Sequence, residues 1–189
     1  MRGWWWSRRL RTRRGLRDAL LALALLGAGG AAAQQAPDAS ARWQALSAEA
    51  MDAFRRGQSA EAAVAAERAL ALARGAFGPR HPQTLNSMNN LAFLYRSQGR
   101  HGEAEPLYRE ALRLTREVLG PRHPRTLAGM NNLATLYERQ GRHGEAEPLY
   151  REALQLTREM FGPQHPNTVR STSNLATLHR SQGLHGVTP

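Results

Sequence analysis

Along residues 82–98 the apolar positions Leu85, Met88, Leu91, Ala92 and Tyr95 are spaced by threes and fours. That spacing places them on one face of a helix, with polar residues filling the rest of the circumference. The run stops at Gly99, a residue suited to a left-handed helix cap. A second run follows, through Ala104, Leu107, Tyr108, Ala111, Leu112, Thr115, Val118 and Leu119, and closes at Gly120-Pro121. Pro106 falls in the opening turns of this second predicted helix, where a missing N–H is least costly. Ala92 and Ala111 are small enough to let the two helices approach closely. The predicted unit is a helix–turn–helix hairpin.

The same pattern returns at a fixed interval. Gly78-Pro79-Arg80-His81-Pro82 recurs as Gly120-Pro121-Arg122-His123-Pro124 and as Gly162-Pro163-Gln164-His165-Pro166, each 42 residues after the last. A period of that length marks stacked units that cannot bury their apolar faces alone. The expected fold is all-α, a right-handed superhelical solenoid of hairpins. Gly57, Gly99, Gly141 and Gly183 share the phase, so a diverged first unit spans 43–77, followed by units 78–119 and 120–161. Its second helix (Ala62, Ala65, Ala66, Ala69, Leu70, Ala73) is alanine-rich, as a terminal cap can be. Residues 162–183 supply a first helix only, with a tail at 184–189, and a linker is expected at 34–42. The stripe Val169, Leu175, Ala176 and Leu178 thus lacks a hairpin partner. A partner protein or a second copy would cover it, or the chain is a shortened form of a longer array, which is the favoured expectation.

Residues 1–18 are rich in arginine and nearly free of acid, and residues 19–33 form an apolar run ending in Ala31-Ala32-Ala33. This is the pattern of an export signal cleaved near Ala33. The apolar stretch is shorter than the roughly 20 residues of a bilayer-spanning helix. The mature chain is therefore expected in the periplasm or secreted, meeting the membrane only in transit, with an uncleaved inner-membrane anchor as the alternative. Ser7-Arg8-Arg9 and Thr12-Arg13-Arg14 leave the twin-arginine and general secretory routes both open.

The formal charge of +11 changes the picture less than its size suggests. Seven arginines and one aspartate within residues 1–33 account for +6, leaving +5 on the remaining 156 residues. There, Arg and Glu alternate along helices, as in Arg109-Glu110 and Arg116-Glu117. That argues for a solvated mixed-sign face rather than a nucleic-acid surface. The absence of cysteine excludes disulfides, thiolate metal sites and a cysteine nucleophile.

The motifs Met88-Asn89-Asn90-Leu91-Ala92, Leu94-Tyr95, Gln98-Gly99-Arg100 and Glu103-Ala104-Glu105-Pro106-Leu107-Tyr108-Arg109-Glu110-Ala111-Leu112 resemble the tetratricopeptide repeat (TPR). They are most similar to its 42-residue kinesin-light-chain type. The resemblance is close over 78–183 and loose over 43–77. It implies a superhelix without catalytic activity or cofactor, whose first helices line a groove for segments of partner proteins. Ser173, His179 and Ala48-Glu49 depart from the pattern.

The groove can also be located from the residues. Asn86, Asn89, Phe93, Arg96 and Ser97 fall in one arc beside the core stripe, with Asn90 at its margin. Units 78–119 and 120–161 are identical at 33 of 42 positions. Four of the nine differences, Asn86/Ala128, Phe93/Thr135, Arg96/Glu138 and Ser97/Arg139, fall in that arc, where chance would place about one. The expected binding face therefore comprises Asn86, Asn89, Asn90, Phe93, Arg96 and Ser97; Ala128, Asn131, Asn132, Thr135, Glu138 and Arg139; and Asn174, Thr177 and Arg180. Asn90, Asn132 and Asn174 could pair with a peptide backbone or instead bridge adjacent repeats.

Two histidine series, His81/His123/His165 and His101/His143/His185, tempt a metal reading. Equivalent residues of stacked repeats lie roughly 10 Å apart, far beyond the reach of one zinc ion. Loop structure explains them better, His-Pro marking an extended residue before each helix. Glu103/Glu105 and Glu145/Glu147 sit in opening helical turns, where carboxylates favour the dipole. No enzymatic activity is expected.

Overall fold

The computed structural model describes residues 39–185. The chain divides into Met1–Arg42 and Trp43–Pro189. Of the first part only 39–42 are described, as helix, so the predicted export signal lies outside the described residues. No helix among the described residues is long and apolar enough to cross a membrane.

Helix α1 runs through residues 39–55, so helix begins inside the stretch expected to be a linker. It is followed by α2 (Ser59–Phe77), α3 (Pro82–Ser97), α4 (His101–Leu119), α5 (Pro124–Arg139), α6 (His143–Phe161) and α7 (Pro166–His185). Each helix from α2 onward packs on the next, and α3 also touches α5. The result is an all-α right-handed solenoid of antiparallel hairpins.

Local chemistry sets the boundaries. His81 and His123 are extended at ψ 142° and 139°, as residues before proline must be. Their Nδ1 atoms accept the backbone N–H of Gln83 and Arg125 at 3.3 and 3.1 Å, and His165 accepts that of Asn167 at 3.2 Å. The first histidine series thus caps helices. Gly99 and Gly141 take φ of +74° and +71°, turning each first helix into the second. Gly183 breaks the expected phase: α7 continues through it to His185, because a lone glycine weakens a helix without ending it. Pro106 is the sixth residue of α4, beyond the free N–H groups of the first turn, so it removes one helical hydrogen bond.

The predicted stripe of α3 is buried in full: Leu85, Met88, Leu91, Ala92 and Tyr95 all lie in the core, joined by Leu94. On α4, Leu114 is buried at 3% exposure whereas Val118, assigned to the stripe, is 43% exposed. This helix packs against both its own hairpin partner α3 and the following α5, so its buried arc is wider than one stripe and rotated from it. Position 129 shows how tightly hairpins meet. A Cβ there would come within 3.3 Å of Leu112 Cδ1, and the residue is glycine. Trp43 Nε1 donates to Ser87 Oγ at 2.7 Å, tying α1 to α3. On α7, Val169 is half exposed and Ala176 exposed, while Leu178 is fully buried.

The Arg and Glu residues of the second helices do more than solvate a surface. Arg74–Glu110 and Arg116–Glu152 bridge consecutive second helices at 3.0 and 2.9 Å, and Arg80 and Arg122, in the turns before α3 and α5, reach Glu117 of α4 and Glu159 of α6 at 3.5 and 2.8 Å. Each exposed pair contributes at most about 1 kcal/mol. Repeated in phase, they mark the register between repeats.

Candidate functional site

First helices α3, α5 and α7 present the predicted arc, and the structure distributes its residues among three environments. Asn86, Asn89, Ala128 and Asn132 converge on a hollow of about 150 Å³ between α3 and α5, floored by Leu85 and Thr115. Asn89 Nδ2 donates to Leu85 O at 2.9 Å, leaving its buried Oδ1 without a partner. Asn131 Nδ2 does the same to Leu127 O, but its Oδ1 accepts Asn174 Nδ2 at 3.2 Å. Asn174 therefore bridges adjacent repeats, the second of the two roles open to it. Asn90 lines a small void against α1 and α2, facing Ala50 and Ala66.

Further along the same helices lies a cluster that differs between repeats. Phe93 packs edge-on against Phe54, centroids 5.1 Å apart, and the Arg96 guanidinium sits 5.3 Å from the Phe93 ring centre and 6.0 Å from that of Tyr108. One repeat on, Thr135 and Glu138 occupy the equivalent positions. Thr135 Oγ1 lies 2.8 Å from Tyr150 Oη, and that hydroxyl donates to Glu138 Oε2 at 2.9 Å. Burial pushes the Tyr150 hydroxyl well above its ordinary pKa; the Thr135 hydrogen bond opposes this and Glu138 reinforces it. Tyr108, equally buried, finds neither partner, and its hydroxyl makes no hydrogen bond. Its pKa is raised by burial and eased back by Arg96. Ser97 Oγ turns back to Leu94 O, Arg139 is exposed, and Arg180 donates to Thr177 Oγ1 at 3.1 Å.

Two features were not foreseen. Glu105, placed in an opening turn for its dipole, instead links repeats: it accepts Arg142 at 2.6 Å and the Tyr137 hydroxyl at 3.3 Å. The Arg142 guanidinium stacks 4.3 Å from the Tyr137 ring centre and also holds Glu145. The Arg142 hydrogen bond, opposed by partial burial, holds the Glu105 carboxyl below the usual range. Tyr95 repeats the motif with Glu67 and Arg100, and burial, then the Glu67 hydrogen bond, pushes its hydroxyl up to about 12. The second feature is a larger hollow of about 800 Å³ on the second helices, floored by Leu112, Leu133 and Leu149 under Arg113, Arg116 and Glu152. Its charges already pair, Arg113 with Glu117 at 2.6 Å and Arg116 with Glu152, so it is a seam between repeats, closed by its own ions. The Arg109, Arg113, Arg116 spacing was the sequence sign of that rim.

No cluster of three or more potential metal ligands occurs among the described residues. The described surface offers hollows lined by leucine and asparagine side chains and a few isolated charges.

The tetratricopeptide-repeat profile matches residues 44–117, 89–159 and 128–186. Among solved structures, BtubC (BKLC) from P. vanneervenii superposes with a TM-score of 0.69 at 23% identity, covering 75% of this chain and 56% of that one. The nearly identical kinesin-light-chain TPR-like repeats of Podosopora anserina give 0.69 at 26% identity, covering 75% and 67%. The Sgt2 TPR domain from Aspergillus fumigatus gives 0.55 at 19% identity, covering 78% and 84%. The chain thus spans little more than half the length of BtubC. Among curated protein sequences, none matches it. Phased hairpins, glycine turns and interleaved charge ladders agree with the profile: the chain belongs to the tetratricopeptide-repeat family, in its kinesin-light-chain-like form.

Proposed function

We propose that this chain, as a member of a family whose repeats generally mediate protein–protein interaction, is a non-catalytic scaffold that holds an extended segment of a partner protein along α3, α5 and α7, and that it works after export to the periplasm or outside the cell. One observation carries the reading. Two repeats that are otherwise near duplicates place four of their nine differences on one face of their first helices, and the Asn86/Ala128 difference lines the hollow there. Drift would spread such changes evenly, placing about one of the nine in that arc. A face adapted rung by rung to a partner concentrates them. The export proposal rests on the arginine-rich, apolar leader and its Ala31-Ala32-Ala33 end.

The test is affinity capture with the full chain and with an Asn86→Glu/Ala128→Glu variant, followed by mass spectrometry. Both substitutions are on partly or fully exposed positions, so the fold persists while the hollow fills with charge. The expected result is loss of specific protein partners from the variant. An identical set of captured proteins would refute the face. Intact mass of the native protein, reading a chain that begins at residue 34, checks the export proposal; an uncut chain refutes cleavage.

A further inference from the structure

Arg96, Glu138 and Arg180 occupy equivalent positions of three successive first helices, each 42 residues from the next. At this position the face therefore reads positive, negative, positive along the solenoid, with the exposed Arg139 beside Glu138. Among the described residues none of the three forms an ion pair, although the second helices α2, α4 and α6 are joined by Arg–Glu pairs in the same phase. Beneath the first of these charges lies the fully buried Tyr108 hydroxyl, a donor with no acceptor. Its counterpart Tyr150 has two oxygen partners, both supplied by α5. In α3 the same two positions are Phe93 and Arg96, which cover the hydroxyl and offer it no oxygen. A buried unmatched donor of this kind is destabilising and is explained if the missing oxygen comes from outside the chain.

Resting on the groove reading above, we propose that the face selects an extended protein segment whose side chains alternate acid, base, acid. A carboxylate of the partner meets Arg96, drawing the guanidinium off the Tyr108 ring and supplying the acceptor that the hydroxyl lacks. A cationic side chain then meets Glu138, and a second carboxylate meets Arg180. Neighbouring first helices lie about 10 Å apart, and an extended segment in the polyproline II form rises about 3.1 Å per residue with three residues per turn, so every third side chain shares one side. The matching charges therefore fall roughly every third residue of the partner. A nucleic acid does not fit this order, because Glu138 would face a phosphate between the two arginines.

Selection of a phage-displayed library of random dodecapeptides on the full-length chain tests the assignment. Enriched peptides should carry acidic and basic residues in alternation at three-residue spacing. A variant with Arg96→Glu and Glu138→Arg should enrich the reversed order and bind the original peptides about tenfold more weakly. Tyr108→Phe should weaken the acid-bearing peptides several-fold without lowering the melting temperature. Enrichment with no charge order, or the same order selected by the exchanged variant, overturns this inference and leaves the groove standing. Failure of any peptide to enrich overturns both.

Discussion

Tyr108 and Tyr150 are equivalent residues in two nearly identical repeats, so each serves as the other's control. Removing the Tyr150 hydroxyl abolishes its contact with Thr135 and its donation to the Glu138 carboxylate. A hydrogen bond to a charged group is worth about 1.5–3 kcal/mol, offset here because Glu138 is only partly buried, so Tyr150→Phe should cost about 2 kcal/mol. Removing the Tyr108 hydroxyl deletes a buried group that has no partner, while the ring keeps its place. Tyr108→Phe should therefore stabilise the chain by about 1 kcal/mol. The same substitution thus has opposite signs 42 residues apart, with a gap of about 3 kcal/mol. At roughly 2–4 °C per kcal/mol for a chain of this size, the melting temperatures should separate by about 6–12 °C. Thermal and urea melts followed by circular dichroism at 222 nm read the difference directly. Equal losses in both variants would mean that the Tyr108 hydroxyl is satisfied in solution, and the asymmetry between the repeats would be refuted.

Three further outcomes follow from the packing. Leu114→Ala should cost about 2–4 kcal/mol and Val118→Ala under about 0.5 kcal/mol in urea melts, reversing the order an unrotated stripe implies. Gly141→Ala, at φ +71°, should destabilise by about 1 kcal/mol, whereas Gly102→Ala inside α4 should stabilise by several tenths in the same melts. Glu105 has a carboxyl pKa lowered in the folded state, so its contribution is present above its unfolded pKa and lost as pH falls through the folded value. Glu105→Gln should accordingly flatten the acid limb of the stability–pH profile below about pH 4.5, and an unchanged limb would contradict the Arg142 pairing.

The fold was legible in the sequence wherever one hairpin decides the outcome. The α3 stripe, the turns at Gly57, Gly99 and Gly141 and the histidine-proline starts need only local periodicity, and these behave as expected. What escaped depends on how one hairpin rotates onto the next. Leu114 is in the core and Val118 is not because α4 is packed by both α3 and α5, and no single-helix period encodes the width of that buried arc. Glu105 finds Arg142 and Tyr137 more than thirty positions away for the same reason. Gly183 misled by phase, since its neighbours continue as helix. The candidate face was legible as an arc of differences, but the inward turn of Asn90 and the bridge from Asn174 to Asn131 come from packing.

Hydrogen–deuterium exchange on the full chain, with and without a dodecapeptide selected on it, bears most directly on the central claim that stacked first helices form the binding face. Added protection should fall on residues 86–97 and 128–139 and extend into α7 near Arg180. Protection centred instead on Arg109–Glu117 and Glu152, over the large hollow of the second helices, would contradict it.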